Sequence, residues 1–214
     1  MSDIFNEVDE DVRKDKSLEL WNVYGKYVIG AAVGVIVVTA AVVGWKNYQL
    51  NQSQEQGTLM ENAGKLVSET KFVEASEAYA ALAANGSEGY QALASLRQAS
   101  ALIAAGKGAE GVVIYDALAA SDSDEEFKAA AKIMAGYYLI DNGTPEDVRS
   151  RVSGMEAAGN IWASSAQELL ALSALKEGKK DEAVKILTAL KDDAGAVNGI
   201  KARATQLLQA LGEK

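Results

Sequence analysis

The sequence contains no cysteine and no histidine. Their absence removes the thiol nucleophile, the imidazole base, disulfides and the ligands zinc prefers. It also rules out a lipid-modified N-terminal cysteine, while saying nothing firm about redox compartment. Proline occurs once, at Pro145, so helices face few built-in breaks. Basic residues are outnumbered 21 to 30, for a net charge of −9. Such a chain repels phosphate backbones and shows no basic patch that could release counterions, which argues against nucleic acid as a partner. What remains is rich in Ala, Leu, Glu, Lys and Gln, all good helix formers, and about half the residues are apolar. The length of 214 residues suits one ordinary domain and an appendage.

One segment does not fit a water-soluble helix. Residues 28–45, VIGAAVGVIVVTAAVVGW, carry no charge. As a helix they rise roughly 27 Å, close to the hydrocarbon thickness of about 30 Å. Lys26 and Lys46 bracket the run, with Trp21, Tyr24 and Tyr27 on one side and Trp45 and Tyr48 on the other. Paired lysines and paired aromatic girdles are the flanks of a spanning helix rather than of a core helix, and the run is too long for a buried strand. A cleaved leader is disfavoured by the long acidic stretch ahead of the run and by the bulky Trp45, Lys46 and Tyr48 where small residues would mark a cut. Arg13, Lys14, Lys16 and Lys26 precede the run and Lys46 and Lys65 follow it, a bias that places the N-terminus in the cytoplasm. The expected division is a tail at 1–26, a transmembrane helix at 27–48 and a domain at 49–214 on the far side. Gly30 and Gly34 form a GxxxG that would let a second helix approach, although small residues recur in such segments by chance. In the tail, Ile4, Phe5, Val8 and Val12 recur at helical spacing, as do Leu20, Trp21 and Tyr24. A short amphipathic helix competes there with a partly disordered tail, and disorder is the preferred reading for 1–15.

Beyond residue 55, helical periodicity breaks at Gly86, Gly106–Gly108, Ser121–Asp124, Asn142–Pro145, Gly159–Asn160, Gly178–Lys180 and Ala194–Gly199. These turns predict eight or nine short helices. Aligning the chain on Ala75, Gly111, Val148 and Ala183 gives separations of 36, 37 and 35 residues. Twelve positions earlier stand Ala63, Ala99, Gly136 and Ala171, and nine earlier Leu66, Leu102, Leu139 and Ala174. Four positions later come Tyr79, Tyr115, Val152 and Leu187, and seven later Leu82, Leu118, Met155 and Leu190. The turn column reads Thr70, Gly106, Gly143 and Gly178. A small residue on the first helix of each hairpin lets the second pack closely, and a large one on the second fills the gap to the next hairpin, so the units stack. In the third repeat Thr144 and Asp147 predict a capping box with Pro145 at the first helical position and a shorter second helix. Residues 197–211 predict a final amphipathic helix, with Ile200, Ala204, Leu207, Leu208 and Leu211 on one stripe, that caps the array. The fold class is therefore all-α: a single N-terminal transmembrane helix followed by an α-solenoid of about four helical hairpins plus a capping helix.

The segments AAGKGAEGVVIYDAL (104–118), LKEGKKDEAVKILTAL (175–190) and ETKFVEASEAYAAL (69–82) resemble the centre of a tetratricopeptide repeat. The whole layout, an acidic tail, the flank LWNVYGKY, an apolar run ending GWKNY and then divergent repeats, is similar to the YfgM-like ancillary subunits of the bacterial SecYEG translocon. The resemblance implies an inner-membrane protein with a periplasmic repeat domain. It implies as partners the Sec translocon subunits and a membrane-anchored periplasmic chaperone related to prolyl isomerases, with secretory clients possible. The lipid bilayer is a further expected partner; cofactors, metals and small-molecule substrates are not expected.

Transferring the repeat register puts Met60, Leu96, Ile133 and Glu168 at one inward position of the concave face, with Leu93 and Tyr137 at others and Val67, Ile103, Ile140 and Leu175 one further. Met60, Leu93, Leu96, Ile103, Ile133 and Tyr137 are the candidate partner-binding residues. The same apolar face could equally be the core of a tightly curved array. No lysine or arginine row stands there to clamp a terminal carboxylate. The acids Asp122, Asp124, Glu125 and Glu126 lack the spacing of a calcium loop and read as a helix start capped by Ser123. GKGAEG lacks the Lys-Ser/Thr pair of a phosphate loop. No set of residues is arranged for catalysis.

Overall fold

The computed structural model describes residues 2–157 and 159–213, with side chains for 14, 16–157 and 159–213. The apolar pattern of Ile4, Phe5, Val8 and Val12 lies outside the described side chains. The described residues form nine helices and no strand: α1 (Ser2–Ser68), α2 (Phe72–Asn85), α3 (Glu88–Ala104), α4 (Gly108–Ala119), α5 (Glu125–Asn142), α6 (Pro145–Val152), α7 (Ala163–Lys176), α8 (Lys180–Asp192) and α9 (Asn198–Ala210). They divide into two units, Met1–Glu55 and Gln56–Lys214. The helical backbone begins at Ser2, so the disorder preferred for 1–15 is replaced by helix there.

The first unit is helical, and its apolar stretch is uncovered among the described residues. An 18-residue window within it has mean hydropathy 2.4 and none of it is buried. Val33, Val35, Ile36, Val37 and Val38 are all exposed. At its margins Lys26 Nζ stands 5.1 Å over the Tyr27 ring, and the Trp45 and Tyr48 rings lie 6.1 Å apart.

In the second unit the repeat alignment maps onto packing. Ala63, Ala99, Gly136 and Ala171 are buried, as are Ala75, Gly111, Val148 and Ala183. Gly111 marks a close approach within a hairpin. A Cβ built there would fall 2.7 Å from the Ala99 carbonyl oxygen and 2.8 Å from Ile103 Cγ1, so α3 and α4 pack backbone against side chain. The large column fills the spaces left: Tyr79, Tyr115, Val152 and Leu187 are at most 4% exposed.

The interior is a chain of overlapping cells, each built from three successive helices. Ala63, Ala75, Tyr79 and Ala101 join α1, α2 and α3. Leu96, Tyr115, Leu118 and Ala131 join α3, α4 and α5. Ile133, Val148, Val152 and Leu169 join α5, α6 and α7. Ala171, Leu187, Ile200 and Leu208 join α7, α8 and α9. Along one side α3, α5, α7 and α9 touch in succession. This nearest-neighbour architecture is that of a solenoid, and α9 closes its last cell as the apolar stripe from Ile200 predicts.

The turns follow the residue types. Thr70, Gly106 and Gly178 occupy the left-handed region at φ 58°, 79° and 75°, which returns the chain sharply after a helix. Thr70 is the costly member of that column, since a β-branched residue disfavours this region. Gly143 departs from it, with φ −127° and ψ −165°, because the next helix starts immediately. Thr144 Oγ1 accepts from the Asp147 N–H at 3.2 Å, and the Thr144 N–H donates to Asp147 Oδ2 at 2.8 Å. This is the capping box the sequence predicts, with Pro145 at the start of an α6 of only 8 residues. Two arginines tie down that short helix. Arg151 Nε and Nη2 donate to Asp116 at 3.0 and 2.7 Å, and Arg149 Nη2 donates to Glu177 at 2.7 Å. The predicted cap of α5 needs correction. Asp124, not Ser123, is the N-cap residue, because the Ser123 N–H is taken by Ser121 Oγ at 3.2 Å and holds Ser123 in the preceding turn.

Candidate functional site

The six residues expected on the inner face fall into two environments. Met60 and Leu93 line one cavity of about 400 Å³, together with Gly64, Val67, Tyr79, Arg97, Ser100, Ala101 and Ala104. Leu96 and Ile133 are 8% and 2% exposed, inside separate core cells, with Ile103 packed on the first cell and Tyr137 on the second. The side chains at this register position therefore change from cavity wall to core along the array, since α3, α5 and α7 lie against one another there.

Glu168, the fourth residue of that register position, is buried at 1% exposure. Burial of a lone carboxylate is costly, and three donors offset it. Arg203 of α9 donates Nε to Oε1 at 2.6 Å and Nη2 to Oε2 at 2.7 Å, and the Tyr137 hydroxyl of α5 donates to Oε2 at 2.5 Å. Burial, then the bond to Glu168, pushes the Tyr137 phenol up to about 12. The same carboxylate holds the Arg203 guanidinium well above its ordinary value. This knot fastens α5, α7 and α9 where the sequence predicts only an inward acid; nothing in the spacing of Arg203 marks it as the partner.

Around the first hairpin the opposite holds. Tyr79 is 4% exposed, and its hydroxyl lines the cavity without a hydrogen bond to a described residue; the fully enclosed unpaired polar atoms are Arg149 Nε and Trp162 Nε1. The Tyr79 hydroxyl lies 3.7 Å from the point where a Gly64 Cβ would stand. In the next repeat the equivalent Tyr115 hydroxyl pairs with Ser100 Oγ at 2.7 Å. Ser100 stands 36 residues after Gly64, so the missing hydroxyl is legible as a departure from the column. Gln56 is a further residue that sequence reasoning passes over: buried at 5%, it accepts from the Ser87 N–H at 3.2 Å and from Ser87 Oγ at 2.8 Å, fixing the start of α3.

In the first unit, Gly30 and Gly34 have open space where a Cβ would be, with nothing within 4 Å. No described residue is packed against them.

Stacked helical hairpins with an inner face of first helices define an α-solenoid of the protein-interaction class. Residues 19–185 match the tetratricopeptide repeat-like domain family, and the chain belongs to it. The matched stretch starts ahead of the apolar run, so it takes in both the candidate membrane span and the first hairpins. No curated protein and no solved structure matches the chain.

Proposed function

We propose that this chain is a membrane-anchored scaffold that serves the bacterial secretory translocon as an ancillary subunit. The observation that carries the reading is the joining, within one family match, of a bare apolar helix and an array of interaction hairpins. The flanks LWNVYGKY and GWKNY supply the resemblance to translocon subunits. In this reading 1–26 is cytoplasmic, 27–48 spans the inner membrane and 49–214 is periplasmic. Tethering the repeats beside the channel exit raises the local concentration of a membrane-anchored chaperone near emerging chains without requiring tight binding. Met60 and Leu93 are the partner-facing members of the inner face, and Gly30 and Gly34 the contact for a neighbouring membrane helix.

Affinity purification of the full chain from gently solubilised membranes tests this. Recovery of translocon subunits with an isomerase-like periplasmic chaperone is the expected result. Recovery of cell-division or other envelope proteins without translocon subunits would replace the proposal with an envelope-tether role on the same architecture.

A further inference from the structure

The cavity bounded by Met60, Gly64 and Val67 of α1, Tyr79 of α2 and Leu93, Arg97 and Ser100 of α3 combines three features. Its walls are mainly apolar, and at about 400 Å³ it lies toward the lower end of ligand pockets, which run about 300–1,000 Å³. The Tyr79 hydroxyl, 3.7 Å from the point where a Gly64 Cβ would stand, lines the hollow and makes no hydrogen bond to a described residue, which leaves it open to a ligand. Arg97, exposed at the rim, forms no ion pair with a described residue, whereas Arg149, Arg151 and Arg203 each hold a carboxylate at 2.7 Å or less. In an acidic chain an unneutralised guanidinium beside an apolar hollow is complementary to a carboxylate carried next to apolar side chains.

We propose that this cavity seats a segment of a partner protein that presents an Asp or Glu side chain beside an apolar one. The apolar side chain lies against Met60, Val67 and Leu93. Arg97 receives the carboxylate, and the Tyr79 hydroxyl exchanges water for a hydrogen bond to the bound segment. A polypeptide fits better than a fatty acid because Arg97, the group that would receive the carboxylate, sits at the exposed rim and not at the end of a closed tunnel. The inference rests on reading the repeats as an interaction scaffold, and names what one site on them takes.

Short random peptides, displayed with both ends blocked, are selected against the full-length chain in phospholipid nanodiscs, and enriched sequences are measured by fluorescence anisotropy. The expected consensus pairs Asp or Glu with Leu, Ile, Phe or Met. Replacing its acid by the amide, or Arg97→Ala in the protein, should each weaken binding by about tenfold, a charge-assisted contact's share. Gly64→Leu, which fills the hollow, should abolish it. Should Gly64→Leu fail to fold, Arg97→Ala alters only an exposed side chain and decides the matter alone. No enrichment, an acid-free consensus, binding indifferent to Arg97→Ala, or occupation by a fatty acid with no peptide selected would each overturn the proposal. Recovery of translocon subunits by the Arg97→Ala chain in those cases would leave the scaffold reading standing.

Discussion

Residues 28–45 and the hairpins from Gln56 onward draw on the same short list of residues, Ala, Gly and branched aliphatics, and use them in opposite ways. In the first region none of the apolar window is covered. In the second, Ala75, Ala99, Ala171 and Val148 are fully enclosed. The two glycines Gly34 and Gly111 make the contrast local. A Cβ at Gly34 meets nothing within 4 Å, while one at Gly111 meets a carbonyl oxygen at 2.7 Å. A helix that is apolar on every side calls for apolar surroundings, a membrane or a larger protein core, whereas one that is apolar on a stripe can build its interior from its neighbours.

The comparison breaks most visibly at the centre of the bare helix. Val35→Asp with Val38→Asp costs about 3 kcal/mol per charge on insertion. The doubly substituted chain is expected in the supernatant after alkaline carbonate extraction, where the parent stays with the vesicles. A pellet retaining the variant as fully as the parent would remove the membrane reading of this segment.

The next largest effect falls in the array. Gly111→Val forces branched atoms into the Ala99 backbone and should destabilise the repeats by about 3 kcal/mol or more. Gly34→Val should leave the unfolding midpoint of the repeats unchanged. Thermal melts of both variants in nanodiscs test the pair, and equal shifts would dissolve the distinction drawn between the regions.

Smaller again is the polar knot. Arg203→Ala leaves Glu168 buried with one remaining donor. Since Arg203 is itself 52% exposed, the loss should be about 2 kcal/mol, below the roughly 3–5 kcal/mol for a fully buried pair. The Tyr137 phenol is raised on folding, so its contribution is complete below pH 10 and is lost as pH climbs toward about 12. Tyr137→Phe should therefore flatten that part of the alkaline stability curve. A denaturant series across that pH range measures it, and an unchanged slope contradicts the assignment.

The smallest effect sits at the irregular third hairpin, where Thr144→Ala removes the box that starts α6 and should cost about 1 kcal/mol. Urea titration reads it out.

How legible each part was follows from the same contrast. The helices, their turns and the small and large columns were readable because they repeat at near-constant spacing, and a repeated constraint leaves a repeated residue type. Pro145 and its box were readable because the capping chemistry is local. The inner face was only half readable. Leu96 and Met60 occupy equivalent positions, yet one is core and the other lines a cavity, since burial there depends on how closely successive first helices approach. The partner of Glu168 is 35 residues away on another helix, a pairing no local pattern encodes. The hollow beside Tyr79 was written in the column that contains Gly64, Ser100 and Tyr137, but as the absence of a hydroxyl, which attracts no notice until the pair at Ser100 and Tyr115 shows what that column does.

An array made of like units has no inherent length, because each hairpin presents the surface that the next one needs. Helix α9 covers the last described cell. Its inner residues Ile200, Ala204 and Leu208 seal the final cell, while Lys201, Arg203 and Gln206 give it a hydrophilic side. Stripped of α9, the chain would expose Leu187, Leu190 and the Glu168 carboxylate together, a greasy terminus with a charge at its centre. Copies so truncated are expected to associate through that uncovered end, and the covering of one cell by α9 is what such an experiment would remove.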